Sequence, residues 1–123
     1  MKVSELTDAQ LDFWVGSTLK VPGVRLEGSN KCTFINSQLS IQVRELFCPS
    51  TDWAFGGRVI ETQRISLFPP AKSGESGDRK NWSASLNLIP GAEAKKLYGE
   101  TPLIAAMRAC VAAHHGDEVA DLT

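Results

Sequence analysis

Cys110 and His114 are the two residues whose types and spacing come closest to a metal site. They lie four positions apart in a predicted helix, so both side chains project from one face of it, and Asp117 and Glu118 follow closely. A structural zinc site needs four converging ligands, however, and only two are aligned here. The sequence favours a simpler role, in which His114 and its neighbour His115 interact with the free carbonyls of the last helical turn. We therefore predict no metal and no cofactor.

Catalytic arrangements are equally incomplete. A cysteine nucleophile needs an adjacent base, and Cys48 is far from both histidines in the chain. The pair Gly56-Gly57 could expose backbone N–H groups to an anion, but the phosphate-binding glycine motifs are absent. An enzyme would require Asp52 and His114 to meet in one pocket. Without that convergence we predict no catalytic residues.

The segment around Trp53 is the best candidate for an interaction surface. Ser50, Thr51 and Asp52 can each cap a helix. Its polar, glycine-flanked segment makes Trp53 the preferred candidate among the three tryptophans for a partly exposed contact residue. The candidate surface comprises Asp52, Trp53, Gly56, Gly57 and Arg58. Core packing is the ordinary expectation for each of the three tryptophans, Trp14, Trp53 and Trp82. The surface hypothesis expects Trp53→Ala to fold normally and to lose partner binding.

A second hypothesis is nucleic-acid binding through a short basic loop. Lys72, Arg79 and Lys80 lie close to Trp82 in the sequence. Acidic residues within the same loop weaken its field, and the net charge of the whole chain is only −1. Phosphate contacts would make any such binding fall steeply with salt concentration.

Composition indicates one ordinary globular domain. The chain has 123 residues, of which 42% are hydrophobic and 22% charged. These values exclude disordered, collagen-like and strongly basic classes. The longest apolar stretch, residues 103–113, is interrupted by Arg108 and is too short to span a membrane. With no secretory signal and an odd number of cysteines (Cys32, Cys48 and Cys110), we expect free thiols, a cytoplasmic location and a single domain over residues 1–123.

Helices are predicted near both ends of the chain. Thr7 and Gln10 form a potential capping box, with Leu6 and Leu11 as a hydrophobic staple, before a helix over residues 8–18. Thr101 caps the last helix, Pro102 occupies its first position, and Gly116 is a potential C-cap. The alanines of the last helix leave three roles open: contact surface, core, or homodimer seam.

Strand patterns fill the middle of the chain. Strands are predicted at residues 24–26, 32–35, 39–47, 65–68 and 82–88, with Leu39, Ile41 and Val43 on one buried face. Gly56-Gly57 predicts that only a short helix follows, at residues 58–63, and residues 92–98 suggest a helical turn. The fold class is therefore α+β: a small, largely antiparallel sheet with the N- and C-terminal helices packed on it.

Two segments resemble the NinX-like proteins of bacteriophages. These are residues 50–61 (STDWAFGGRVIE) and residues 101–108 (TPLIAAMR), the latter followed by GDEV at 116–119. In that family a Trp-Ala core with a glycine and an aliphatic pair comes mid-chain, a tryptophan strand follows, and a Pro-Leu-hydrophobic-Ala-Ala-Met-Arg helix closes the chain. Trp82 matches the tryptophan strand, whereas Arg58 stands where many members carry proline.

The resemblance implies a protein of a tailed phage or prophage that acts in the bacterial cytoplasm, with no assigned reaction. Genes beside those of the family include DNA recombination and processing factors. We therefore expect a non-catalytic accessory or protein-interaction module with an unknown protein partner. The alternatives are a nucleic-acid accessory protein in phage DNA metabolism and an enzyme with a site near Asp52 and His114.

Overall fold

The computed structural model describes residues 1–28, 30–36, 41–70, 81–86 and 95–120. Within these ranges a short 3-10 turn at Val3–Glu5 is followed by three α-helices and six β-strands. The helices are α1 (Asp8–Thr18), α2 (Trp53–Gln63) and α3 (Pro102–His115). The strands are β1 (Arg25–Glu27), β2 (Lys31–Asn36), β3 (Val43–Leu46), β4 (Ser66–Phe68), β5 (Trp82–Ser85) and β6 (Leu97–Gly99). The α+β class predicted from the sequence is confirmed.

The described strands form two separate sheets, where the sequence suggested one. In the first sheet, β2 lies between β1 and β3, and both pairings are antiparallel. In the second sheet, β5 lies between β4 and β6, again antiparallel, so that Ala84 pairs with Leu67 on one side and with Leu97 on the other. Each sheet is small enough that one helix covers much of one face.

The helices join the two sheets. Helix α1 packs on β1 and β2, α3 packs on all three strands of the second sheet, and α1 and α3 contact each other. Helix α2 also packs against α3. Both terminal helices therefore pack on sheet, as the sequence predicts, and α3 is the central element of the structure.

The alanine-rich side of α3 is part of the core. Ala105 and Ala106 are fully buried and Ala109 is almost so, together with Met107 and Cys110. Small side chains on this helix allow the second sheet to approach closely. A Cβ atom on Gly99 of β6 would lie only 2.6 Å from the backbone nitrogen of Ala105. Of the three roles left open for these alanines, the structure supports core packing.

The two predicted threonine caps differ. The Thr101 hydroxyl accepts a hydrogen bond from the backbone N–H of Ile104 across 3.1 Å, and Pro102 occupies the first turn as expected. Thr7 makes no such bond, and Asp8 adopts a positive φ of 50°. The predicted capping box at α1 is therefore absent, although Leu6 and Leu11 are both fully buried.

Three other local predictions need correction. Helix α2 runs through Gly56 and Gly57 instead of starting after them. Residues 97–99 form strand β6, not the end of a helical turn. Of the predicted buried face, Ile41 and Val43 are 69% and 42% exposed, and Leu39 lies outside the described residues. The last result arises because Val43 begins β3 opposite Asn36, at the end of the sheet away from the buried pair of Cys32 and Phe47.

Candidate functional site

A tight turn before α2 sets the position of the predicted surface. The backbone N–H groups of Thr51 and Asp52 both donate to the carbonyl oxygen of Cys48, at 3.1 and 2.9 Å. The Asp52 carboxylate then accepts from the N–H of Ala54 at 2.8 Å. Asp52 is therefore the N-cap of α2, as one interpretation of the sequence proposed, and its negative charge also complements the helix dipole.

The two adjacent glycines of α2 have different surroundings. Gly56 is buried, and a Cβ atom there would overlap the carbonyl oxygen of Pro49 and lie 2.5 Å from Cδ2 of Leu103. This close approach lets the start of α2 pack directly on α3 and on the preceding turn. A Cβ on Gly57 would meet only the Trp53 ring, at 3.9 Å, which is ordinary van der Waals contact. Close packing therefore requires a glycine at position 56 but not at position 57.

Trp53 and Arg58 are both exposed on α2, although their spacing of five residues places them on different sides of the helix. Trp53 is 56% exposed, although it is one of the largest apolar side chains in the chain. Arg58 is exposed and forms no ion pair with any described residue. We refer to Asp52, Trp53, Gly56, Gly57 and Arg58 as the α2 surface. Of its members, Gly56 is buried and Asp52 is a cap, so only the remaining residues offer contact area.

An apolar groove lies beside the α2 surface. It has a volume of about 350 Å³ and runs between α2 and the chain that leaves α1. Its lining is formed by Leu19, Val21, Phe47, Ala54, Phe55, Arg58, Val59 and Thr62. The rings of Phe47 and Phe55 pack edge to face with centroids 5.7 Å apart. The groove was not predicted from the sequence, because its sides come from segments more than thirty residues apart.

A buried carboxylate lies behind this turn. Asp12 of α1 is only 4% exposed, and it accepts a hydrogen bond from the backbone N–H of Ser50 at 2.8 Å. Burial raises the pKa of Asp12 to about 6, although its hydrogen bonding to Ser50 favours the charged form. Sequence reasoning missed this residue. The available signal was its spacing of three and four residues from Val15 and Gly16, which places all three on one helix face.

The sequence of the chain matches a known protein family over most of its length. The family described as bacteriophage P22, NinX, matches residues 2–114. The chain belongs to the phage NinX family. The match extends from the 3-10 turn to the last turn of α3, so it includes the α2 surface, the groove and the buried Asp12. No curated protein matches this NinX-family chain.

The remaining candidate residues of the NinX chain do not converge. Asp52 lies one turn before Gly56, which contacts Leu103 at the start of α3. His114 lies in the last turn of α3, about 16 Å further along the helix at 1.5 Å per residue. Neither Asp52 nor His114 lines the groove. An enzyme site joining them is therefore not assembled by the fold.

The cysteines and histidines occupy separate positions. Cys110 is fully buried, whereas His114 is exposed, and among the described residues no group of three or more potential ligands could hold a metal ion. His115 lies 2.9 Å from the Thr18 hydroxyl, and its ring packs against Trp14. The cysteines are free thiols. Burial raises the pKa of Cys32, and the nearby Asp12 and Cys48 raise it further.

Two further predictions concern the basic loop and the neighbouring Trp82. Lys72, Arg79 and Lys80 lie outside the described residues, so the basic loop stays a prediction. Trp82 is half-buried on β5, where it pairs with Gly99. Within the described ranges no helix combines the length and apolar character needed to cross a membrane.

Proposed function

We propose that this NinX-family protein is a non-catalytic accessory module that binds a protein partner through the α2 surface and the adjoining groove. The observation that carries the proposal is Trp53, 56% exposed at the first turn of a capped helix. The proposal treats residues 1–123 as one domain. It places the protein in the cytoplasm of the infected bacterium, where host and phage partners are both present.

The setting of Trp53 supports a binding role. Tryptophan is enriched among the residues that dominate binding energy at interfaces, because it buries a large area with few rotatable bonds. The Asp52 cap and the packing of Gly56 fix the helix that carries it. A rigid platform loses little conformational entropy on association, so more of the contact energy contributes to affinity.

The groove indicates the chemistry of the partner segment. Its aromatic and aliphatic lining would take apolar side chains, and Arg58, which has no ion pair among the described residues, is one of its lining residues. A carboxylate on the partner would satisfy the guanidinium with a charge-assisted pair of hydrogen bonds. We therefore expect a segment of a partner protein that carries apolar side chains next to an aspartate or glutamate.

Co-precipitation from phage-infected cell extract, after nuclease treatment, tests the proposal. The bait variants are the parent chain, Trp53→Ala, Arg58→Glu and Leu46→Ala. Leu46 is a matched control, since it is 54% exposed but lies on β3. We expect one protein to survive nuclease with the parent and Leu46→Ala baits. Its recovery should fall at least about tenfold with Trp53→Ala and severalfold with Arg58→Glu.

Other outcomes would contradict the proposal. Loss of all partners on nuclease treatment would favour the nucleic-acid hypothesis. Equal recovery by Trp53→Ala would exclude the α2 surface, and an unfolded Trp53→Ala, detected by circular dichroism, would make Trp53 a core residue. Sedimentation of the purified chain shows whether it forms a homodimer. If the parent chain is a dimer and Trp53→Ala is a monomer, the groove binds a second copy of this chain and not a different protein.

A further inference from the structure

A second pocket is lined by residues distinct from those of the groove. It has a volume of about 600 Å³ and is enclosed by the N-terminal turn, β6, the middle of α3 and the chain after α3. A volume in this range is typical of sites for small molecules.

Charged side chains dominate this pocket. Four are cationic and two are anionic: Lys2, Lys95, Lys96 and Arg108, against Asp117 and Glu118. Lys95 is paired with Asp117 at 2.6 Å, which neutralises one charge of each sign. Lys96 lies over the ring of Phe68, with its nitrogen 4.3 Å from the ring centroid. The lining therefore carries a formal excess of two positive charges.

Arg108 is the fixed element of the site. Its Nε donates to the carbonyl oxygen of Leu6 at 3.0 Å, and its Nη1 donates to the carbonyl oxygen of Tyr98 at 2.6 Å. These two bonds lock the half-buried guanidinium in one orientation. A guanidinium has five N–H donors, so three remain. None of them meets an acceptor among the described residues, and Arg108 forms no ion pair there.

This combination of features is what an anion site requires. Burial lowers the pKa of Arg108, and the negative charge of Glu100 offsets this only in part. The half-buried cation has therefore lost hydration that its two neutral carbonyl partners do not fully replace. A guanidinium presents paired donors that match the oxygens of a phosphate or carboxylate, and a concave pocket with excess positive charge raises the local concentration of anions. A purely structural arginine would need the two carbonyl bonds but neither the pocket nor the lysines that line it.

We propose that the Arg108 pocket binds a small anion through a phosphate or carboxylate group, with Lys96 and Lys2 contributing charge at its edge. The site is independent of the α2 surface. Partner binding by the α2 surface and anion binding by the Arg108 pocket can therefore be tested separately, and a variant in one site is a control for the other. Arg58→Ala removes an exposed cation from the groove and leaves the Arg108 pocket unchanged.

Titration followed by ¹H–¹⁵N NMR tests the site on the full chain. The probes are inorganic phosphate, pyrophosphate and succinate, with sodium chloride at matched ionic strength as the reference. We expect saturable shifts at Leu97, Gly99 and the Nε–H of Arg108. Lys96→Ala should weaken binding about two- to fivefold, as for removal of one exposed charge, whereas Arg58→Ala should leave it unchanged. Arg108→Lys keeps the charge but loses the paired donors, so affinity should fall about tenfold.

The probes also distinguish the two sources of the anionic group. Tighter binding of pyrophosphate assigns a phosphorylated ligand, and tighter binding of succinate assigns a carboxylate; either result supports the proposal. Shifts that chloride reproduces, or that map outside the pocket, would overturn it. So would unchanged affinity in Lys96→Ala, a surface variant that leaves the carbonyl bonds of Arg108 intact.

Discussion

The carboxylate of Asp12 accepts a hydrogen bond from the backbone N–H of Ser50 across 2.8 Å, although the two residues lie thirty-eight positions apart. This bond ties the middle of α1 to the turn that precedes α2. The same turn supplies the Cys48 carbonyl that receives the N–H of Asp52, the N-cap of α2. The orientation of the α2 surface therefore depends on a buried acid on another helix.

The buried acid predicts an unusual dependence of stability on pH. Burial raises the pKa of Asp12 to about 6 in the native state, from an ordinary value of 3.8. The native state therefore holds this proton more tightly than the unfolded chain. The contribution of Asp12 is then most favourable below about pH 4 and is lost as pH rises to about 6. The free energy of unfolding should fall by about 3 kcal/mol over that window from this group alone.

Asp12→Asn separates this effect from the titration of other groups. The amide oxygen can still accept from Ser50, but the side chain no longer ionises. We expect urea denaturation between pH 4 and 8 to show that the free energy of unfolding of the variant rises relative to that of the parent as pH increases. At pH 8 the variant should be at least as stable as the parent. A difference between the two proteins that stays constant with pH would contradict the prediction.

The adjacent glycines of α2 should respond oppositely to alanine. Gly56→Ala places a methyl group against the Pro49 carbonyl and Leu103, and a backbone oxygen cannot move aside as a side chain can. We expect a loss of about 2 kcal/mol or more in the free energy of unfolding. Gly57→Ala adds a methyl group that meets only the Trp53 ring, at an ordinary van der Waals distance, so the higher helix propensity of alanine should stabilise the protein by up to about 1 kcal/mol. Chemical denaturation measures the change in the free energy of unfolding for both variants. Equal changes would contradict the close packing of Gly56 against Pro49 and Leu103.

The same glycines show where sequence reasoning was limited. Local propensity correctly indicated Asp52 as a cap, but it also indicated a break at Gly56-Gly57. The helix continues because tertiary contacts with α3 compensate for the low helix propensity of Gly56, and those contacts join residues 47 positions apart in the chain. Trp53 is exposed and its role in binding stays a prediction, whereas the groove, which has Arg58 in its lining, is formed only by the assembled fold.

The two predicted threonine caps provide a matched pair. Thr101→Ala removes a hydroxyl that accepts from the Ile104 N–H, so it should cost about 1 kcal/mol. Thr7→Ala removes a hydroxyl that makes no such bond, and we expect a change within about 0.5 kcal/mol. Thermal unfolding of both variants provides the comparison. A larger cost at Thr7 would mean that the capping box forms in solution.

Thr7 and Thr101 also show why a capping motif predicts where a helix starts better than it predicts the hydrogen bonds of the cap. Both threonines precede real helices, so the sequence located the helix starts correctly. At Thr7, however, the positive φ of Asp8 turns the first residue of α1 away from the geometry that a capping box needs. Similarly, alternation predicted a buried Val43, but Val43 begins β3 opposite Asn36, away from the buried pair of Cys32 and Phe47, and is 42% exposed.

The three free cysteines should differ in reactivity toward iodoacetamide. The thiolate is the reactive species, and burial raises the pKa of Cys32 to about 12 and that of Cys110 to about 11. Cys48 also has a raised pKa because of burial, but it is only half-buried. At pH 8 we expect slow labelling of Cys48 alone in the native protein and rapid labelling of all three in guanidinium chloride. Peptide mass spectrometry identifies the sites. Labelling of Cys110 before Cys48 would show that α3 opens more readily than its central place in the core implies.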